Sequence, residues 1–487
     1  MLSKLKLLSL LCSLKTNKKK IAGISAPSRA TTLINYCGLD ANIVEFIFEI
    51  KGSKKIGLNI PGTNIPVVEE KFSVIKKYDF LILFSFIPAS IIIGPAISLF
   101  NILLIDFSFI FLIFYKKDFK FLSNKTVKLI IFLCLYLVFN SIIAKDFSMS
   151  VLRNFGFIRF GILFLAFNYF FYNNKNFVII VLATWLLTLS LLSLDTYKES
   201  ISGTNILGYG ETYGSRIVSF FKDEPIVGGY IHGFYLMIIG YLFFLDKNIS
   251  DKYKYIIFVF SIFFLIAIIL TGERSNAIKA IFGFFLFYFI NDYFKFKEKI
   301  FSILLLILMI VFLLNNSDFL KLRYGGQFFK PIASFFQTNN ELNKGDEFKD
   351  NIYIRLYQSG FEVFKRYKFF GVGNKNYRVE TCSNEKNSKY LCSTHPHQLY
   401  FEFLAEHGIV GTVILIFILF SLIFSKIKII FCSKNYLQLG CLTFLLTSFV
   451  PLLPSGAFFA DYNLTIFWIN LSIMYAVGEK TNVYRSN

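Results

Sequence analysis

The stretch from Tyr255 to Leu270, YIIFVFSIFFLIAIIL, contains no charged residue and decides the fold class. With its flanks at 253–271 it is long enough, as an α-helix, to cross the hydrocarbon core of a bilayer. Similar apolar segments recur on both sides of it, near 79–95, 97–115, 127–144, 155–172, 177–195, 226–245, 275–291, 300–315, 409–425, 437–455 and 462–477. We therefore predict an all-α polytopic membrane protein with about twelve transmembrane helices.

The composition agrees with this fold class. Hydrophobic residues make up 55% of the 487 positions, and 63 of those positions are Phe. A soluble protein of this length cannot bury so much apolar surface. The net charge of +20 could indicate nucleic-acid binding, but much of the Lys lies in short loops between apolar segments. A membrane protein with basic cytoplasmic loops explains that placement better.

The Lys-rich loops also predict the orientation. Alternate short loops are basic, for example 116–128 and 247–254, whereas the loop at 94–97 has no basic residue. In a bacterial inner membrane the cytoplasmic loops carry the excess of Lys and Arg. Both termini should therefore lie on the cytoplasmic side of that membrane. Two large loops, 196–225 and 316–408, then lie on the periplasmic side. The second, between the ninth and tenth helices, should form a packed and partly helical lid, because it contains regularly spaced aromatic residues.

Seven cysteines form no CxxC pattern and no Cys/His spacing typical of a metal site. Cys382 and Cys392 share the second large loop and would be able to pair if that loop faces an oxidising compartment. We expect no metal and no cofactor.

The most informative stretch is HPHQLYFEFLAEHGIVG, from His395 to Gly411, which holds three of the four histidines of the chain. We predict a helix after Gln398 that leads into the next membrane span, with His397 at its outer mouth. A histidine titrates near neutral pH, so His397 could act as a general base. Alternatively, it is an interfacial residue with no chemical role.

Basic residues in the outer segments suggest an anionic substrate. Arg274 lies in the turn LTGERSNA at the membrane edge, where a guanidinium is costly without a partner; an ion pair with Glu273 is the simplest alternative. Arg355 lies in the second large loop, and Arg216, Lys222 and Glu224 lie in the first. Arginine suits two-pronged recognition of phosphate, so these residues favour a phosphate-bearing substrate.

The same residues resemble the O-antigen ligase and polymerase superfamily. His397-Gln398, nine residues, Gly408, two residues and Gly411 match its His-to-Gly pattern. Four further segments are similar in order across about 79–477, namely FFKDEPIVGGY (220–230), LTGERSNA (270–277), GVGNKNYR (371–378) and PSGAFFADYNLTIFW (454–468). In this chain Gln398 replaces the commoner Asn, and His395 is an extra neighbour that could share the role of base.

The resemblance implies an enzyme that transfers a glycan from undecaprenyl diphosphate to an acceptor hydroxyl. Arg274 and Arg355 would bind the diphosphate, and His397 would accept the acceptor's proton. One direct displacement would invert the anomeric carbon without a metal. Arg216, Lys222, Glu224, His395 and Gln398 would contact substrate.

Three hypotheses for the function follow. The first is ligation of O-antigen to lipid A–core, with a variant that glycosylates protein hydroxyls, and the second is an O-antigen polymerase that extends lipid-linked repeat units. The third, from another class, is a polysaccharide transporter or flippase. Against the third, the sequence shows no internal repeat and suggests no conspicuous ionisable residue in the middle of a helix.

Residues 1–75 form a separate cytoplasmic segment. The stretches ATTLINYCG (30–38) and PGTNIP (61–66) lie within 23–66, which resembles the C-terminal part of sugar C-methyltransferases. No glycine-rich nucleotide-binding loop accompanies them. We expect an inactive remnant, and the membrane domain should occupy 76–487.

Overall fold

The computed structural model describes residues 2–17, 21–25, 28–50, 52–69, 73–172, 174–210, 216–222, 224–245, 250–329, 352–383 and 389–485. Parts of both predicted large loops, including 211–215 and 330–351, lie outside these ranges. The chain divides into two compact units, Met1–Phe80 and Leu81–Asn487. The boundary lies close to the predicted one at residue 75.

The first unit contains a small parallel sheet with helices. Strands β1 (Ala22–Ile24), β2 (Phe46–Glu49) and β3 (Val67–Glu69) pair in that order, and α1 (Leu2–Thr16) and α2 (Ser28–Cys37) are the helices. Its core includes Ile47, Ile65 and Val67, which are at most 2% exposed. The segment predicted to be a remnant thus has a hydrophobic core of its own, and the all-α class applies to the rest of the chain.

A helix occupies each of the twelve predicted membrane segments. These helices are α3 (Ser73–Ile93), α4 (Pro95–Lys116), α5 (Lys125–Ile142), α7 (Ile158–Tyr172), α8 (Lys175–Ser202), α9 (Val227–Leu245), α10 (Asp251–Leu270), α11 (Arg274–Ile290), α12 (Phe296–Asn316), α15 (Leu399–Phe424), α17 (Tyr436–Ser448) and α18 (Asp461–Ala476). The shorter helices are α6 (Phe147–Gly156), α13 (Ile352–Arg366), α14 (Tyr377–Ser383) and α16 (Ile427–Ser433). The all-α polytopic architecture is confirmed.

Eight of the described helices are long and apolar enough to cross a membrane. They include α4, α5, α8, α9, α10 and α12, together with α6–α7 and α15–α16, each pair counted as one span. Helices α3, α11, α17 and α18 have shorter apolar stretches, so the count of twelve spans stays a prediction. Because α8 continues to Ser202, the first outer segment begins later than residue 196.

Helix α9 forms the centre of the membrane unit and is buried along almost its whole length. A Cβ on Gly240 would meet the backbone of Tyr436, and a Cβ on Gly440 would meet the backbone of Leu236. Small residues let α9 and α17 pack backbone against backbone, as membrane helices commonly do. By contrast, α12 buries only Ser302 and Leu306 and presents its apolar side chains outward.

The expectation that no conspicuous ionisable residue lies in the middle of a helix is wrong for Asp106 in α4, which is 2% exposed. His232 in α9 and Lys279 in α11, nearer the starts of their helices, are 3% and 8% exposed. The sequence did not show that these positions point into the bundle, because these helices carry apolar residues on every face. Helix composition therefore no longer argues against a transporter, and that argument depends on the candidate functional site.

Helix α15 is interrupted at Gly408, which has φ 61° and ψ −171°. Residues 368–373 lie against this interruption. On one side of it, the N–H groups of Val372 and Gly373 donate to the carbonyls of Ala405 and Glu406, at 3.0 and 2.9 Å. On the other side, the N–H groups of Ile409 and Val410 donate to the carbonyls of Lys368 and Phe369, at 2.8 and 3.1 Å. The lid, the segment predicted between α12 and α15, is thereby joined to the membrane helix by backbone hydrogen bonds.

Buried asparagines extend this junction to α5 and α6. The Asn374 N–H donates to Asn140 Oδ1 at 2.8 Å, and the Asn374 amide donates to Asn154 Oδ1 at 2.6 Å. The Asn154 amide in turn donates to the carbonyl of Leu137 at 2.8 Å. Buried polar groups that are satisfied in this way specify a single arrangement of the lid.

We predict that Gly408→Ala destabilises the protein strongly. The left-handed φ of Gly408 disfavours a side chain, and a Cβ there would collide with the backbone of Phe369 and Phe370. The apparent unfolding temperature in detergent should fall, with a loss on the order of 2 kcal/mol or more. Gly325→Ala is the matched control, because a Cβ at Gly325 meets nothing within 4 Å. Equal stability of the two variants would contradict the role of the helix interruption.

Candidate functional site

The first part of the site is the segment that precedes α15. Gln398 is the N-cap of this helix, and its Oε1 accepts the Phe401 N–H at 2.9 Å. Its side chain is buried, at 3% exposed. The structure thus gives Gln398, which was predicted to contact substrate, a capping role that fixes where the helix begins.

His397 has φ 57°, in the left-handed region that non-glycine residues seldom adopt. Its carbonyl accepts the Ser455 N–H at 2.9 Å. The His397 ring lies 4.0 Å from the ring of His395 and 6.3 Å from that of Tyr353, measured between centroids. Within the described part of the chain, neither nitrogen of this ring has a hydrogen-bond partner. The ring is therefore held by packing rather than by hydrogen bonds.

The neighbouring His395 differs, because both of its ring nitrogens are engaged. Its Nε2 lies 3.3 Å from the carbonyl oxygen of Ser455, and its Nδ1 lies 2.9 Å from Thr394 Oγ1. A carbonyl only accepts, so Nε2 carries the proton and Nδ1 accepts from the threonine hydroxyl. Of the two histidines, His397 is the one able to take a proton from a substrate.

Burial lowers the pKa of both histidines. The pKa of His397 falls below its ordinary value, and burial together with the adjacent His397 lowers that of His395 to about 4. Both rings are then neutral near pH 7, because the charged form of a buried imidazole is poorly solvated. A neutral His397 is in the protonation state that a general base requires.

The second part of the site surrounds the turn before α11, whose first residue is Arg274. The carboxylate of Glu273 accepts the N–H groups of Gly228 and Gly229, at 2.7 and 3.0 Å, and the Asn276 amide at 2.7 Å. Glu273 therefore caps the start of α9, so a simple pairing with Arg274 does not describe its role. The turn and the outer end of α9 are tied together.

Arg323 joins this turn from the segment after α12. That segment consists of a short helical turn, Asp318–Leu320, followed by a π-helix, Lys321–Phe329. The Nε and Nη2 of Arg323 both donate to the carbonyl of Gly272, at 3.2 and 3.1 Å. Gly272 has φ 69°, and a Cβ there would collide with the Phe319 ring. Arg323 is thus fixed against the turn that carries Arg274.

Three arginines from three segments meet here. Burial, and then the nearby Arg274 and Arg216, lower the pKa of Arg323 from its usual value. Arg216 is anchored by a hydrogen bond from its Nη2 to the carbonyl of Pro225, at 3.1 Å. Glu273 lies beside the same group, and Arg216 counters the rise that burial causes in the pKa of its carboxyl. Three guanidinium groups against one carboxylate leave a net positive charge at this turn.

Tyr353 on α13 connects the two parts of the site. Its ring is edge-on to that of His397, and Tyr353 lies near enough to Arg323 to partly offset the lowering of the pKa of that arginine. Arg355 follows two residues later on the exposed face of α13, and Lys222 and Glu224 are exposed beside the Arg216 anchor. The structure therefore associates His397 and His395 with Tyr353, and Arg274 and Arg216 with Arg323.

Arg323 and Tyr353 were not predicted from the sequence. Arg323 belongs to no motif and lies in a long loop, so only its burial against Gly272 reveals it. Tyr353 is one of the regularly spaced aromatic residues of the lid, and its spacing predicts only packing. Near Arg323, the local sequence shows only two basic residues alternating with leucines in FLKLRY, 319–324.

The lid that carries Tyr353 is held by a buried carboxylate and a disulfide. Glu380 accepts hydrogen bonds from Arg366 and Tyr367, both at 3.0 Å, and from Tyr390 at 3.1 Å. A disulfide joins Cys382 to Cys392, the pair identified in the sequence. The lid is therefore packed and partly helical, as predicted.

The glycines of the sequence motif have structural roles. Gly408 forms the interruption of α15, and a Cβ on Gly411 would collide with the hydroxyl of Tyr136. Gly371 has φ 70° and lies against the backbone of Glu406 and His407. The spacing from His397 to Gly408 thus fixes the length of helix between the candidate base and the lid junction.

Comparison with known proteins finds a family match that covers part of this region. Residues 259–416 match the O-antigen ligase family. This range includes Arg274, Arg323, Arg355 and His397, whereas Arg216 lies before it. The resemblance inferred from the motifs is confirmed.

The N-terminal unit has a separate relationship. Residues 2–94 match the C-methyltransferase C-terminal domain, a longer range than the 23–66 inferred from the sequence. No curated protein matches the chain.

Proposed function

We propose that the chain is a membrane glycosyltransferase that moves a glycan from undecaprenyl diphosphate to an acceptor hydroxyl, with ligation of O-antigen to lipid A–core as the reaction. The observation that carries this proposal is that Tyr353 lies between two features. On one side is the His397 ring, whose nitrogens have no hydrogen-bond partner among the described residues, and on the other is the group of Arg323, Arg274 and Arg216. The match of this region to the O-antigen ligase family supports the same chemistry.

The arginine group would bind the diphosphate of the donor. When the glycosidic bond breaks, negative charge grows on the leaving diphosphate, and fixed guanidinium groups stabilise it without reorganising. Arg274, Arg323 and Arg216 supply these groups. Arg355 is proposed as a further phosphate ligand from the family resemblance, and exposed Lys222 and Glu224 as further substrate contacts.

His397 would activate the acceptor. Its neutral ring accepts the proton of the acceptor hydroxyl as that oxygen forms a bond to the anomeric carbon, while the bond from that carbon to the diphosphate oxygen breaks. The displacement is direct and inverts the anomeric carbon. A diphosphate leaves with little help from an acid, so one base and a cationic group are enough.

The proposed location is the bacterial inner membrane, with the site on the periplasmic side and both termini in the cytoplasm. The Cys382–Cys392 disulfide supports this orientation, because disulfides persist in oxidising compartments. The Lys-rich alternate loops support it independently.

Two other functions are kept as outcomes of the test. A polymerase that extends lipid-linked repeat units would use the same donor chemistry. A transporter or flippase is favoured by the buried Asp106, His232 and Lys279, since ionisable residues inside membranes often mark a transport path.

Deleting the gene in its host and analysing surface glycolipids by electrophoresis separates these functions. A ligase predicts loss of all long-chain glycan from lipid A–core, with lipid-linked chains accumulating. A single repeat unit on the core would support the polymerase instead. Unaltered glycan with altered solute uptake would support the transporter.

Complementation with His397→Asn tests the site in the same strain. Asn tolerates the left-handed backbone of position 397 but cannot act as the base, so we expect at least a hundredfold loss of transfer. Wild-type amounts of the variant in the membrane would show that folding is intact. Normal glycan attachment by this variant would contradict the proposed mechanism.

Arg323→Gln should weaken the use of the lipid diphosphate donor. Removing one charge-assisted contact is expected to lower kcat/KM for the donor by roughly tenfold to a hundredfold. Lys321→Gln is the matched control, since Lys321 is an exposed cation of the same segment and pairs with Asp318 at 3.3 Å. Equal effects of the two substitutions would mean that Arg323 contributes only general positive charge.

A further inference from the structure

His395 has no role in the proposed reaction, yet it is the residue closest to the candidate base by ring contact. The centroids of the two imidazoles are 4.0 Å apart, and the ring planes are tilted by 36°. The hydrogen bonds of His395 to Thr394 and to the Ser455 carbonyl use both of its nitrogens. It is therefore a ring of fixed orientation that covers one side of His397.

The partner that fixes His395 is the strap, which we define as residues 449–460 between α17 and α18. Ser455 in the strap contacts both histidines through its backbone, because its N–H donates to the His397 carbonyl and its carbonyl accepts from His395 Nε2. One peptide segment thus sets the backbone of one histidine and the ring of the other.

The strap is itself anchored to α15. The N–H of Phe458 donates to both carboxylate oxygens of Glu402, each at 3.0 Å. Glu402 is 1% exposed and lies one helical turn after Gln398, the N-cap of α15. These two contacts link the strap to the first turn of α15.

We propose that His395 is a positioning residue for His397, a neutral ring held by the strap that orients the base and shields it from water. This inference rests on the proposed function, because it assumes that His397 accepts a proton. His395 itself has no free nitrogen and does not touch the reacting atoms.

The surroundings of His397 make the shielding measurable. The titratable and charged groups on the adjoining elements are His395 with Lys389 and Tyr390 before it, the α13 residues Tyr353, Arg355, Tyr357, Glu362, Lys365 and Arg366, and the α15 residues Tyr400, Glu402, Glu406 and His407. The strap contains none, and Asp461 after it pairs with Arg153 and Arg159 at 3.3 and 2.7 Å. Since burial is what lowers the pKa of His397, removing the covering ring should raise it.

The test compares His395→Ala with His395→Phe in the full-length protein, using the pH profile of kcat for glycan transfer. Alanine admits water, so the acid limb should move to higher pH by on the order of 1 unit, and kcat should fall by about tenfold as the base loses its orientation. Phenylalanine keeps a ring over His397 and should leave the acid limb at its wild-type position. The midpoint of this limb does not depend on how much protein is folded.

Two results would overturn the proposal. An acid limb unchanged in His395→Ala, or moved equally in both variants, would show that the ring does not shield His397. A loss of about a hundredfold or more in both variants, like that of His397→Asn, would make His395 the base. If His397→Asn transfers glycan normally, the proposed function fails instead, so the two failures are distinguishable.

Discussion

The backbone pairing of residues 368–373 with α15 at Gly408 is the interaction on which the rest of the site depends. A regular helix has no N–H or carbonyl groups free for another segment, so the interruption at Gly408 is what allows the lid to bind. The helix between Gln398 and Gly408 is about 15 Å long at 1.5 Å per residue. His397 at one end and the lid junction at the other are therefore a fixed distance apart, which gives a physical reason for the spacing of the His-to-Gly motif.

The contact between residues 368–373 and α15 holds the lid in place, and the position of the lid determines which residues come together in the candidate site. The lid carries α13, whose Tyr353 contacts His397 and influences Arg323. Arg323 donates to the carbonyl of Gly272, in the turn that leads into α11 and Arg274. Glu273 in that turn caps α9, the most buried helix of the membrane unit. His397 and the three arginines are thus connected through a ring contact, an electrostatic interaction and side-chain hydrogen bonds to the backbone. Such an arrangement would suit the proposed reaction, whose two substrates must be held in line.

The sequence predicted the helix positions well because long apolar runs dictate membrane helices directly. It also suggested His397, Arg274 and Arg216 as site residues, because their residue types stand out at a membrane edge. It could not reveal Arg323, whose hydrogen bonds go to a carbonyl 51 residues away. The capping role of Gln398 and the burial of Asp106, His232 and Lys279 were not predicted either. Long-range contacts decide all of these, and no local pattern encodes them.

The central claim is that this site transfers a glycan from a lipid diphosphate. Purified protein in proteoliposomes, supplied only with an undecaprenyl diphosphate-linked glycan and a lipid A–core acceptor, tests it directly. We predict that undecaprenyl diphosphate is released in a one-to-one ratio with the glycosylated acceptor. The new glycosidic bond should have the anomeric configuration opposite to that of the donor. The contrary result is a donor that stays intact after prolonged incubation, although the same protein restores glycan attachment when it is expressed in the deletion strain. That result would contradict the central claim.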